Sequence, residues 1–185
     1  LAYRHTPLRG PVLTGVGLLF TIPSFALFPL ISLFGVPLLS ETNLIVALTI
    51  YAVAIMTRSV TDALASVDAS TRSAAIAVGF GPWRRFWKVD FPLSGPVMLA
   101  GLRVTAMSTI SLATVGALIG VQNLGYLFTN GSQRRIVAEV FAGVVAVVVI
   151  AVIVDALLML SGRALMPWTR RTAPLRTTRP RAVTA

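Results

Sequence analysis

Apolar positions along this chain fall into long uninterrupted blocks instead of alternating with polar ones. Nothing charged occurs between Arg9 and Glu41, or between Arg103 and Arg134. A helix crossing hydrocarbon needs about 20 mostly apolar residues, so these runs predict an all-α membrane bundle. Four spans are predicted. The first covers about Pro11 to Phe34 and contains Pro23 and Pro29, which predict a kinked helix. The second, Asn43 to Thr57, is short and must recruit its flank through Val60 to cross. The third runs from Pro92 to about Val121 with Arg103 inside it, and the fourth from about Ile136 to Leu160 with Glu139 and Asp155 near its ends.

The longest hydrophilic stretch inside the bundle, Arg58 to Asp90, is patterned. Asp68 or Ser70 can cap a short helix on which Thr71, Ala74, Ala75 and Val78 share one face, and Gly79 ends it. Gly81 and Pro82 then restart a second helix, with Trp83, Phe86 and Trp87 opposite Arg84, Arg85 and Lys88. The pattern predicts a helix, tight turn, helix unit lying at the membrane surface.

Charge fixes the expected orientation. The 185 residues carry 16 Lys and Arg against 6 Asp and Glu, a formal net charge of +10. In a soluble protein this excess points to nucleic acid; here the basic residues sit in loops and tails, so no nucleic-acid partner is expected. With the N-terminus cytoplasmic, Arg4, Arg9, Arg58, Arg72, Arg84, Arg85, Lys88 and the six arginines from Arg163 to Arg181 all lie inside. Only Arg134 and Arg135 then lie outside. Both termini are therefore expected in the cytoplasm of a multi-pass cell-membrane protein. After Thr169 the composition turns to Arg, Thr, Pro and Ala without apolar periodicity, which predicts a transmembrane body over 1–168, its surface loop at about 58–91, and a disordered basic tail over 169–185. The tail can meet membrane lipids through anionic headgroups, or simply enforce topology. The chain opens on Leu1 with no signal-peptide pattern, so a further span, a fifth, is expected before it.

Catalytic chemistry is not foreseen. His5 is the lone histidine, cysteine is absent, and no carboxylate pair stands at helical spacing for acid and base roles. Gly15 and Gly17 lack the further glycine of a dinucleotide loop, and no phosphate-binding loop occurs. Neither a metal nor a cofactor is expected, and ATP hydrolysis must come from another subunit if it is needed.

Ser73-Ala74-Ala75, three residues, Gly79, nine residues, then Val89-Asp90-Phe91-Pro92 resembles the EAA loop of permease subunits of bacterial ABC importers. Ser73 stands where that pattern has Glu, and Val89 and Phe91 where it has Ile and Leu. Further stretches (Thr21 to Gly35, Ser66 to Ser70, Phe91 to Ala106, Thr114 to Gly125) resemble the glycine betaine, choline and carnitine importers, with Gln122-Asn123 replacing the more usual glycines. The resemblance covers about Arg9 to Trp168. It implies a type I importer permease in which Ser73, Ala74, Ala75, Gly79, Pro82 and Pro92 form the loop that docks an ABC ATPase subunit. A second permease subunit, identical or paralogous, and an extracytoplasmic substrate-binding protein are the other implied partners. The implied cargo is a quaternary-ammonium osmoprotectant. An importer for another small solute such as an amino acid, a channel, and a membrane scaffold without an ATPase are the competing readings.

Two intramembrane charges need an account. Arg103 lies eleven residues beyond Pro92, about 16 Å of helix, and Asp155 eight residues before Arg163, about 12 Å, so they share a depth. They either pair or snorkel separately to headgroups and water. The hydroxyls of Thr105, Ser108, Thr109, Ser111 and Thr114 cover more than half the helix circumference, so they make no single pore-facing stripe. Bonds to the preceding turn's carbonyls are expected for several of them, and no substrate-binding residue is assigned.

Overall fold

The computed structural model describes residues 24–168. Helix α1 is Ser24–Ser32, α2 Glu41–Ala65, α3 Ala69–Ala77 and α4 Pro82–Arg85; a π turn at Phe86–Asp90 leads into α5, Phe91–Val115. A 3-10 turn at Gly116–Ile119 follows, then α6, Gly125–Gln133, and α7, Val137–Leu165. Among the described residues, three helical stretches are long and apolar enough to cross a membrane: Glu41–Ala65, the continuous run Pro82–Ile119, and Val137–Leu165.

Local chemistry sets the ends of these elements. Ser40 caps α2 by accepting a hydrogen bond from the Asn43 amide at 3.2 Å, and Glu41 places a carboxylate beside the positive end of the helix. Asp68 caps α3 through the Ser70 amide at 3.0 Å. Gly79, at φ +84, reverses the chain after it. Pro82 then stands in the first turn of α4, where its missing N–H costs no bond.

The three long helices run antiparallel in sequence. At the α3 end, Gly101 of α5 lies against Ser59 of α2, and Gly162 of α7 against Leu99 of α5; at the other end Gly116 meets Leu44. Lipid offers helices no hydrophobic drive to associate, so small residues that let backbones approach do much of the packing. At that other end α1 folds onto α2. The fully buried Asn43 amide donates to the Phe28 carbonyl and to Ser32 Oγ, both at 3.1 Å, within a core of Leu27, Phe28, Ile31, Leu44, Ala47, Ile119 and Val121. Helix α6 doubles back against α7, Gly131 facing Val140 and Gly143 facing Phe128. Outward, α7 shows an almost purely aliphatic face, including Val144, Val148, Val152 and Leu160.

Several expectations are corrected. The second span continues beyond Val60 to Ala65 as the last two turns of α2, where Arg58 and Asp62 pair at i,i+4 spacing, 4.0 Å apart. The helix restarted by Pro82 does not lie apart on the surface; it runs through the π turn into the third span, which is helical ten residues before Pro92. Helix α7 continues past Leu160 to Leu165, and α6 occupies a stretch expected to be loop. Of the first predicted span, α1 ends at Ser32 and Gly35 turns the chain at φ +88. Residues 11–23 of that span, His5, and the tail 169–185 lie outside the described residues.

Candidate functional site

Helix α3 and the turn after it project from the end of the bundle where α2 finishes and α5 begins. Ser73 and Ala74 are exposed, as are Ile76 and Val78. Ala75, next to Ala74 but turned by about 100° around the helix, is buried in the chain's own packing. The two alanines therefore do not present one small-residue surface. Gly79 and Pro82 are exposed in the reversal, with open space where a Cβ on Gly79 would stand, and Pro92 is half-buried at the start of α5.

Beneath α3 sits a group for which the linear pattern offers no signal. Asp90 is only 1% exposed. Its Oδ1 accepts from Arg72 Nε and its Oδ2 from Arg85 Nε, each at 3.2 Å. Arg72 also donates through Nη2 to the Leu64 carbonyl in the last turn of α2, where a cation suits the negative end of a helix. One guanidinium on α3 thus ties together the end of α2 and the start of α5.

The π turn explains why Arg85 reaches Asp90. In an α-helix residues five apart are about 140° apart around the axis and do not meet. The wider turn bonds the Phe91 amide to the Phe86 carbonyl, five residues back, and brings such pairs onto one side. Pro92 gives a reason for the widening, since it has no N–H for Lys88 and its ring would crowd that residue's carbonyl. On the outer side of this segment the rings of Trp83, Trp87, Phe86 and Phe91 stack edge to face or tilted, with centroids 5.2 to 6.2 Å apart. The expected separation of aromatic and basic faces is broken by Arg85, which turns inward.

Deeper in the bundle Arg103 Nε donates to Asp155 Oδ1 at 2.5 Å and Arg103 Nη2 to Asp155 Oδ2 at 2.7 Å, a two-pronged pair joining α5 to α7. The hydroxyls on α5 turn to their own backbone: Thr105 Oγ1 donates to the Gly101 carbonyl, Thr109 to Thr105 and Thr114 to Ser111. At the far end, Gln122, Tyr126, Thr129, Asn130 and Gln133 line an open cavity of about 380 Å³ with no carboxylate or basic side chain among them. Gln122-Asn123, noted in the sequence as a departure, shapes this end. Asn123 donates to the Ala113 carbonyl at 3.0 Å and accepts from the Gly125 amide at 2.7 Å, fixing the start of α6.

The sequence of this apolar bundle matches a known family across residues 1–171, described as binding-protein-dependent transport system inner membrane component. The chain belongs to that family. This permease is 33% identical over 162 residues to the osmoprotectant import permease protein OsmW of Salmonella typhimurium, covering 85% of this chain and 75% of that one. It is 28% identical over 160 residues to the glycine betaine/carnitine/choline transport system permease protein OpuCB of Bacillus subtilis, covering 85% and 72%. With the ergothioneine transport permease/ergothioneine binding protein EgtU of Helicobacter pylori it shares 34% identity over 155 residues, 83% of this chain but 28% of that protein. The permease is thus a membrane component of a binding-protein-dependent transport system.

Proposed function

We propose that this permease is the membrane subunit of an ATP-driven importer for quaternary-ammonium osmoprotectants such as glycine betaine, choline and carnitine. The likeness to OsmW, spread over 85% of the chain, carries this reading. The α3 end faces the cytoplasm. Arg58, Arg72, Arg84, Arg85, Lys88 and Arg163 gather there, against Arg134 and Arg135 at the other end, the distribution the positive-inside rule requires. Residues 1–168 form the permease domain, and both termini are cytoplasmic.

Helix α3 with the Gly79 reversal is the docking element for a separate ATPase subunit, its contact made by Ser73 and Ala74 and shaped by Gly79 and Pro82. Ala75 supports that surface from within, and Pro92 ends the unit at the third span. Helix in groove is a common recognition mode, and the exposed Ile76 and Val78 supply apolar anchors for it. A second permease completes the path, and an extracytoplasmic binding protein delivers the cargo. The Arg103–Asp155 pair locks α5 to α7 while the bundle changes state.

Uptake of labelled glycine betaine, choline and carnitine by hyperosmotic cells, with and without the gene, tests the cargo. Gene-dependent uptake of at least one of the three is expected. Uptake of an amino acid or an oxyanion alone would keep the permease and overturn the substrate class.

A further inference from the structure

We propose that Asp90 is a positioning residue for transport, whose carboxylate fastens the docking helix α3 to the π turn at the head of α5 so that displacement of α3 is delivered to the spans. The proposal rests on the docking role of α3. Asp90 accepts from Arg72 on α3 and from Arg85 across the π turn, both at 3.2 Å, and is 1% exposed. Arg72 carries the same displacement to α2 through the Leu64 carbonyl. Helix α3 has few other ways to hold the bundle: it is nine residues long, and Ala75 is its one buried residue. A short, largely exposed helix transmits force only where it is anchored, and here the anchor is ionic.

The π turn adds the element that can move. Its Arg85–Asp90 pair depends on the five-residue register, so a return to α-helical winding would part the two side chains and turn everything downstream by about 100°. Asp90 therefore holds the register of α5 and the position of α3 with one group. Neutralising it frees both while leaving Ser73, Ala74 and Gly79, the docking surface itself, unchanged.

The test uses the complete importer in proteoliposomes, reading ATPase copurification, ATP hydrolysis and osmolyte uptake separately. Asp90→Asn should bind the ATPase within about two-fold of wild type and still hydrolyse ATP, while uptake per ATP falls about ten-fold, within the range that mutations along a coupling route produce. Asp90→Glu should recover most of that ratio. Unchanged uptake per ATP in Asp90→Asn would overturn the proposal. So would loss of ATPase binding as the main defect, since Asp90 would then shape the docking surface instead of transmitting from it. Should Asp90→Asn fail to accumulate in the membrane, Arg85→Gln, which keeps the Arg72 bond, decides: a several-fold fall in uptake per ATP is expected, and a wild-type ratio overturns the idea. Failure of the docking role itself would appear elsewhere, as unaltered ATPase binding when α3 is disrupted.

Discussion

Arg103 of α5 and Asp155 of α7 meet through both prongs of the guanidinium, Nε to Oδ1 at 2.5 Å and Nη2 to Oδ2 at 2.7 Å. The pair joins two helices that otherwise approach through small and aliphatic side chains, so it sets their register along the axis. Paired charges in a bilayer satisfy each other, whereas a lone charge must find water or headgroups. Arg103→Gln and Asp155→Asn should each lower uptake and membrane abundance more than the double substitution does, since removing one partner strands the other. Uptake measured across the four-membered cycle checks this; losses that simply add would show two independent side chains.

Gly79 stands at φ +84 with nothing near its missing Cβ, so only backbone conformation is at stake there. Gly79→Leu should cost about 1 to 2 kcal/mol for the left-handed conformation and displace the end of α3. Uptake and ATPase copurification should collapse while membrane insertion survives. Gly79→Asn, a residue that tolerates this conformation, should retain most activity.

The long helices and the capped α3 were legible because they rest on rules that run along the chain: uncharged length, Asp68 before a helical stretch, Gly79 after it. Asp90 was not, because its partners lie 18 residues upstream on another helix and five residues away at a spacing that α-helical periodicity treats as unrelated. The same periodicity hides the π turn, and with it the continuity of α4 into α5. The second span is expected to reach Val60, and the i,i+4 spacing of Arg58 and Asp62 is the helix signature that carries it on to Ala65. Helix α6 was missed. Its Thr129, Asn130 and Gln133 look like loop residues; Asn123 fixes the start of the helix and Asn130 ties it to Glu139 of α7.

Orientation follows from placing the α3 end in the cytoplasm. The chain contains no cysteine, so single substitutions report cleanly. Leu38→Cys, exposed beyond α1, and Asn130→Cys, lining the far cavity, should react with an impermeant thiol reagent added outside intact cells. Phe80→Cys should react only after the membrane is opened. Labelling of Phe80→Cys from outside would reverse the assigned topology.

Close packing of α6 makes a matched pair of glycines informative. A Cβ on Gly125 would lie 1.9 Å from the Thr114 carbonyl oxygen, a backbone atom that cannot rotate away, whereas one on Gly81 meets nothing within 4 Å. Gly125→Ala should destabilise by roughly 1 to 3 kcal/mol through overpacking, and Gly81→Ala should be close to neutral. Thermal unfolding of the two variants in detergent gives the comparison; equal midpoints would mean that α6 does not seat on α5 as described.

Cargo selection is the remaining question that side chains in this chain can answer. A quaternary ammonium group is held most specifically by aromatic faces, at about 0.5 to 2 kcal/mol per ring. Phe28 and Tyr51 are available in number but not in place: Phe28 is 1% exposed in the core around Leu44 and Ile119, and Tyr51 packs against that core. Their rings are used for packing α1 on α2, so on the proposed function selection is assigned to the binding protein, and the polar lining near Tyr126 and Asn130 offers no formal charge to trap a zwitterion. Phe28→Leu should therefore lower thermal stability, while Phe28→Ala should cost more, roughly 3 to 5 kcal/mol. Neither should change the order in which glycine betaine, choline and carnitine compete for uptake by the folded complex. A reordering of the three in Phe28→Leu, at unchanged binding-protein affinity, would place an ammonium-binding ring in the permease after all.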